Sequence, residues 1–158
     1  MTDPEAPVLC RTDNWDIALV AFVASVRGLP WAWGSTDCAS LVRRALVTLY
    51  GFDVWEDEAG DGWGTARTAI RTLDGMNSDL PGTLRRTGAV EVGHNWARAG
   101  HIAYGGIAAT GLPQFGIRLP GGLLLTAAED VGVKVEKVVA VNPVTRWYSY
   151  DILQRGRI

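Results

Sequence analysis

The sequence predicts an α+β fold, with helices in the first half and a mostly antiparallel sheet in the second. Three observations carry this. Two stretches before residue 51 place apolar residues at three- and four-residue steps, which stacks them on one face of a helix. Beyond residue 100 that period gives way to short apolar runs. Glycine and proline separate those runs, and helices followed by strands pack as segregated layers.

The elements follow in order. Residues 1–12 read as an irregular lead-in, and 13–158 as a single domain. Asp13 is placed to cap a first helix, with Asp16 supporting its first turn and Trp15, Leu19, Phe22 and Val26 forming its stripe. Gly28 and Pro30 end it. Ser35, Thr36 and Asp37 each offer a short side-chain oxygen to the unpaired amides of a second, central helix. Its stripe is Cys38, Leu41, Val42, Ala45, Leu46 and Leu49, and Gly51 is placed to close it in a left-handed cap. Residues 52–62 form an acidic loop without the alternating oxygen ligands of a calcium loop. Thr65–Leu73 and Asp79–Arg86 read as two further short helices. His101–Tyr104, Phe115–Leu119, Gly122–Thr126, Val131–Val139 and Val144–Tyr150 read as strands, with Pro120-Gly121 and Asn142-Pro143 as turns.

Composition narrows the function. The chain has 158 residues and 47% of them are hydrophobic, enough for one domain with a real core. A net charge of −2 leaves no basic footprint for nucleic acid. No apolar run approaches the roughly 18 residues of a membrane span. The first residues lack the basic and apolar regions of a secretory signal, so a cytoplasm is the expected place of synthesis and assembly. Two cysteines form neither a disulfide framework nor a CxxC pair, and nothing in the pattern implies a metal or another cofactor. Seven tryptophans raise the expectation of a permanent partner surface.

Cys38 admits two readings. The start of a helix carries partial positive charge, which favours the thiolate and makes a nucleophile. Equally, a cysteine continuing an apolar stripe behaves as a small core residue. A nucleophile needs a general base, and the chain has only His94 and His101 to supply one. Gly34 and the amides around Cys38 are candidates for an oxyanion hole. Trp31 and Trp33 are expected to pack where the central helix begins. Arg43 and Arg44, opposite the stripe, are expected to form a solvated face.

These residues carry a resemblance. WAWGSTDCASLVRRALVTLYG resembles the cysteine-bearing motif of NlpC-type cell-wall cysteine peptidases, in which Trp-Gly precedes an Asp-Cys that opens a helix. ARAGHIAY (97–104) resembles the start of the family's first long strand, with His101 where an aspartate commonly stands. FGIRLPG (115–121) resembles the next strand, which in active members begins with the catalytic histidine. LLTA (124–127) resembles the third, which brings a polar orienting residue. The match is closer to a branch of this superfamily found in the tail tips of tailed phages and related particles, and it runs from about Trp15 to Trp147. The resemblance implies a papain-like, NlpC-like fold with the Cys38 helix packed on the sheet.

Carried over residue by residue, the family's triad becomes Cys38, Gln114 and Thr126. Glutamine accepts no proton at neutral pH, so it cannot serve as the base. The resemblance therefore implies a structural, hub-associated component of a virion tail tip or baseplate, with other tail proteins as partners. The alternative is an active cysteine amidase or endopeptidase that cuts peptidoglycan stem peptides during infection, with His101 as base in place of Gln114. A third reading is a binding module that uses the cleft between helix and sheet for a peptide or acyl group.

Overall fold

The computed structural model describes residues 9–56, 84–85, 87–107, 113–138 and 145–151. Within them the chain forms helices α1 (Trp15–Val26) and α2 (Cys38–Tyr50), then six strands. These are β1 (Val90–Val92), β2 (Ile102–Ile107), β3 (Pro113–Leu119), β4 (Leu123–Ala128), β5 (Gly132–Lys137) and β6 (Arg146–Ser149). They make one sheet in the order β1-β6-β2-β3-β4-β5, and every described pairing is antiparallel. The α+β expectation is met. The Thr65–Leu73 helix and the Asn142-Pro143 turn lie outside the described residues. Of Asp79–Arg86, only Leu84 and Arg85 are described, and they are helical.

Helix α2 forms as its sequence dictates. Asp37 is the N-cap, its Oδ1 accepting from Ser40 N at 2.9 Å, and Gly51 closes the other end at φ 79°. Leu41, Val42, Ala45, Leu46 and Leu49 are buried at its inner face. Helix α1 departs from expectation at its start. Asn14, not Asp13, occupies the N-cap position, in a left-handed conformation and with no side-chain cap. Asparagine tolerates that region better than most residues.

Period-two alternation builds the sheet's two faces. One register row runs Tyr148, Ile102, Ile117, Leu125, Val135 across five strands, and it packs against α2 in the main core. Each large apolar side chain taken from water there contributes about 1.5–3 kcal/mol. The opposite face holds a smaller cluster of Ala97, Ala103, Leu124, Val138 and Trp147. Trp147 pairs in register with Ala103, whose small side chain leaves room for the indole. Strand β1 was not expected from the sequence. It has only three residues, and a bidentate pair of hydrogen bonds from Arg146 to Glu91 helps fix it beside β6.

The loop leaving α1 is tied to the edge strand β5. Gly28 N–H donates to Val133 O at 3.1 Å, and Val133 N–H donates to Leu29 O at 2.9 Å. Gly132 sits at φ +87°, and a Cβ there would stand 2.5 Å from Leu29 O. Both the backbone angle and the space demand glycine. Gly132→Ala is expected to cost about 2 kcal/mol or more, read as a lowered urea midpoint. An unchanged midpoint would mean the tie is dispensable.

The solvated-face expectation holds for one arginine of two. Arg44 is exposed. Arg43 is instead half-buried and pairs with Asp53, its Nε donating to Oδ2 at 2.9 Å. The loop after α2 turns Asp53 back onto the helix, a contact that helical periodicity does not encode. Trp31 and Trp33 pack edge to face with centroids 4.3 Å apart, against the main core. Among the described residues no helix is long and apolar enough to cross a membrane.

Candidate functional site

Cys38 is the first residue of α2, and the packing of α2 on the sheet brings it to β3. Its Sγ accepts from Phe115 N–H at 3.3 Å. The carbonyl of the same residue accepts from Thr126 Oγ1 at 2.7 Å, across from β4. Cys38, Thr126 and the backbone of Phe115 therefore meet in one place, with Gln114 the residue just before Phe115 on β3. Two of the three positions that the resemblance singles out, Cys38 and Thr126, converge on one residue, Phe115, and the third, Gln114, adjoins it in the chain.

The electrostatics there do not make a reactive thiol. Burial pushes the Cys38 thiol up to about 11, and the neighbouring Asp37 charge adds to the rise. The amides of Phe115, Ala39 and Cys38 act the other way and do not offset it. The expectation that a helix start lowers this pKa is thus reversed by desolvation. The oxyanion-hole expectation for Gly34 also fails. Its N–H is committed to Asp37 Oδ2 at 2.7 Å, the oxygen that also accepts from Ser40 Oγ at 2.6 Å. Cys10 and Cys38 are not joined by a disulfide.

The two histidines lie elsewhere. His101 pairs across the sheet with Arg118, three residues along β3 from Phe115, which is about 10 Å at strand spacing. It is 0% exposed. Its Nδ1 accepts from Arg98 N–H at 3.0 Å, so a neutral ring carries its proton on Nε2, which stands 3.6 Å from Asp151 Oδ2. His94 is exposed on the other face of the sheet, where its Nδ1 accepts from Trp147 Nε1–H at 3.0 Å. The structure brings neither ring to Cys38.

Asp151 is the centre of a second polar cluster that the sequence did not reveal. Arg11 donates to both its oxygens, with Nε to Oδ1 at 2.8 Å, and Tyr50 O–H donates to Oδ1 at 2.7 Å. Burial alone would raise the Asp151 pKa. The nearby His101 ring, the Arg11 and Tyr50 donors and the Arg11 charge outweigh it and hold the carboxyl well below the usual range. Close by, Trp55 Nε1–H donates to Tyr150 O–H at 2.8 Å, and Thr87 and Tyr150 hydroxyls share a bond at 2.6 Å. No local motif marks these partners, because Arg11 and Asp151 are 140 residues apart. Among the described residues no group of histidine, cysteine, aspartate and glutamate side chains is arranged to hold a metal ion.

Comparison with known proteins gives three findings. The family described as a domain of unknown function, DUF6950, matches residues 10–144. No curated protein matches the chain. Among solved structures, RipD from Mycobacterium tuberculosis is similar at 16% identity and a TM-score of 0.43, over 87% of this chain and 97% of that one. RipD is described as a non-catalytic NlpC/p60 domain protein with an adaptation to peptidoglycan-binding function.

Proposed function

The chain belongs to the DUF6950 family, and we propose that it is a non-catalytic protein on an NlpC-like cysteine-peptidase fold, serving as a hub-associated part of a phage or phage-like tail tip. The observation that carries the non-catalytic reading is the Cys38 contact. The thiol is matched to the Phe115 amide, Gln114 stands at the family's histidine position, and both imidazoles are engaged elsewhere. A cysteine hydrolase needs a base within hydrogen-bond reach of its sulfur. The WG–DC helix and the strand motifs that resemble the tail-tip branch support the virion placement. On this reading the protein is assembled in the host cytoplasm, and its partners are other proteins of the tail.

Two measurements test the proposal. Digestion of purified muropeptides is expected to show no cleavage by the wild-type chain, indistinguishable from Cys38→Ala. Cleavage that disappears in Cys38→Ala would establish the amidase instead. Antibody detection in purified particles is expected to find the chain in the tail fraction, and its absence there would remove the virion placement while leaving the loss of catalysis standing.

A further inference from the structure

Helix α1 is apolar around nearly its whole circumference. Its inner side accounts for Leu19 and Val26, which are fully buried. Its outer side is mostly apolar, broken by exposed Asp16 and Ser25. Ile17 is 68% exposed and Val20 58% exposed, with Ala21 and Ala24 exposed beside them. Ile17, Val20 and Ala24 fall at the three- and four-residue steps of a seam that meets another helix. A helix apolar on both sides is the pattern of one covered on both sides.

The charges at its ends identify the cover. Exposed Asp13 precedes the helix and exposed Arg27 follows it, seven residues to either side of Val20. An antiparallel copy related by a two-fold axis at Val20 would set each Asp13 against the other chain's Arg27. The same turn opposes the two helix dipoles favourably. Ala21 and Ala24 are small enough to let the axes approach at the short end of the usual 8–10 Å range. We propose that the outer face of α1 is a self-association surface, on which a second copy of this chain docks through an antiparallel α1–α1 contact. The face is self-complementary, as a two-fold interface requires. It does not depend on the tail-tip reading.

Twelve residues span about 18 Å, less area than a standard stable interface uses, so the dimer is a weak one. Sedimentation velocity on the full chain, from about 1 to 300 µM, is expected to show a monomer–dimer equilibrium with a Kd on the order of 10–100 µM. Val20→Lys is expected to abolish it. Asp13→Arg or Arg27→Asp alone is expected to weaken it about tenfold, and the two together to restore it. A chain monomeric throughout overturns the proposal. So does a dimer indifferent to Val20→Lys, or one that the combined exchange fails to restore. Circular dichroism checks that each variant folds, and if Val20→Lys does not, the exposed charge exchange decides the matter alone.

Discussion

Replacing Asp151 by alanine is expected to lower the stability of the fold by about 3 kcal/mol or more, the largest loss from any polar side chain described above. The cause is what the change leaves behind. Arg11, with 14% of its side chain exposed, would keep its charge without its carboxylate, and Tyr50 would lose its acceptor. Removing one partner of a buried pair costs far more than the pair itself contributes. Asp151→Asn keeps an acceptor for Tyr50 but not the charge, so a smaller loss is expected. The pH dependence has a definite sign. The folded carboxyl titrates well below the ordinary value, so the unfolded chain takes up its proton first as pH falls. The stability from this group is complete at neutral pH and drains away below about pH 4. Urea unfolding at a series of acidic pH values is expected to give a steep fall for the wild type and a flatter one for Asp151→Asn. Parallel curves would show that the cluster does not hold the fold.

Cys38 is expected to react with alkylating agents far more slowly than an ordinary thiol. A pKa raised from 9.0 to about 11 leaves roughly 100-fold less thiolate at neutral pH than an ordinary thiol. Exposed Cys10 provides the internal comparison in the same molecule. Labelling at pH 7.5, followed by mass spectrometry of the two cysteine peptides, is expected to modify Cys10 early and Cys38 at least a hundredfold later. Raising the pH towards 11 is expected to speed Cys38 steadily. Fast labelling of Cys38 at neutral pH would mean that the helix start outweighs burial, and it would reopen the peptidase reading.

These two sites divide what a sequence can and cannot show. Helix α2 was legible to its ends, because its cap, stripe and closing glycine are all local signals between Asp37 and Gly51. Strands β3 and β4 were legible as short apolar runs on either side of the Pro120-Gly121 turn. Strand β1 was not, since three residues with Val90 and Glu91 exposed leave no period to read. For Cys38 the sequence located the residue and left its chemistry open between a nucleophile and a core residue. A helix terminus is worth at most about 1–2 kcal/mol, whereas burial of a charged form reaches several pKa units. Only the packing of β3 over the sulfur decides between them. The Asp151 cluster was invisible because each member is unremarkable in its own neighbourhood. Arg11 lies in a stretch read as an irregular lead-in, yet it is docked beside buried Leu9, and Thr12 N–H reaches Leu49 O at 2.8 Å.

That docking has a mechanical consequence. Arg11, near the first described residue, and Asp151, the last of them, are held together by a single ion pair. A pull applied through these two points loads the guanidinium–carboxylate pair first, and then the Thr12–Leu49 bond. The helices and the sheet ladders carry tension only after the clasp has parted.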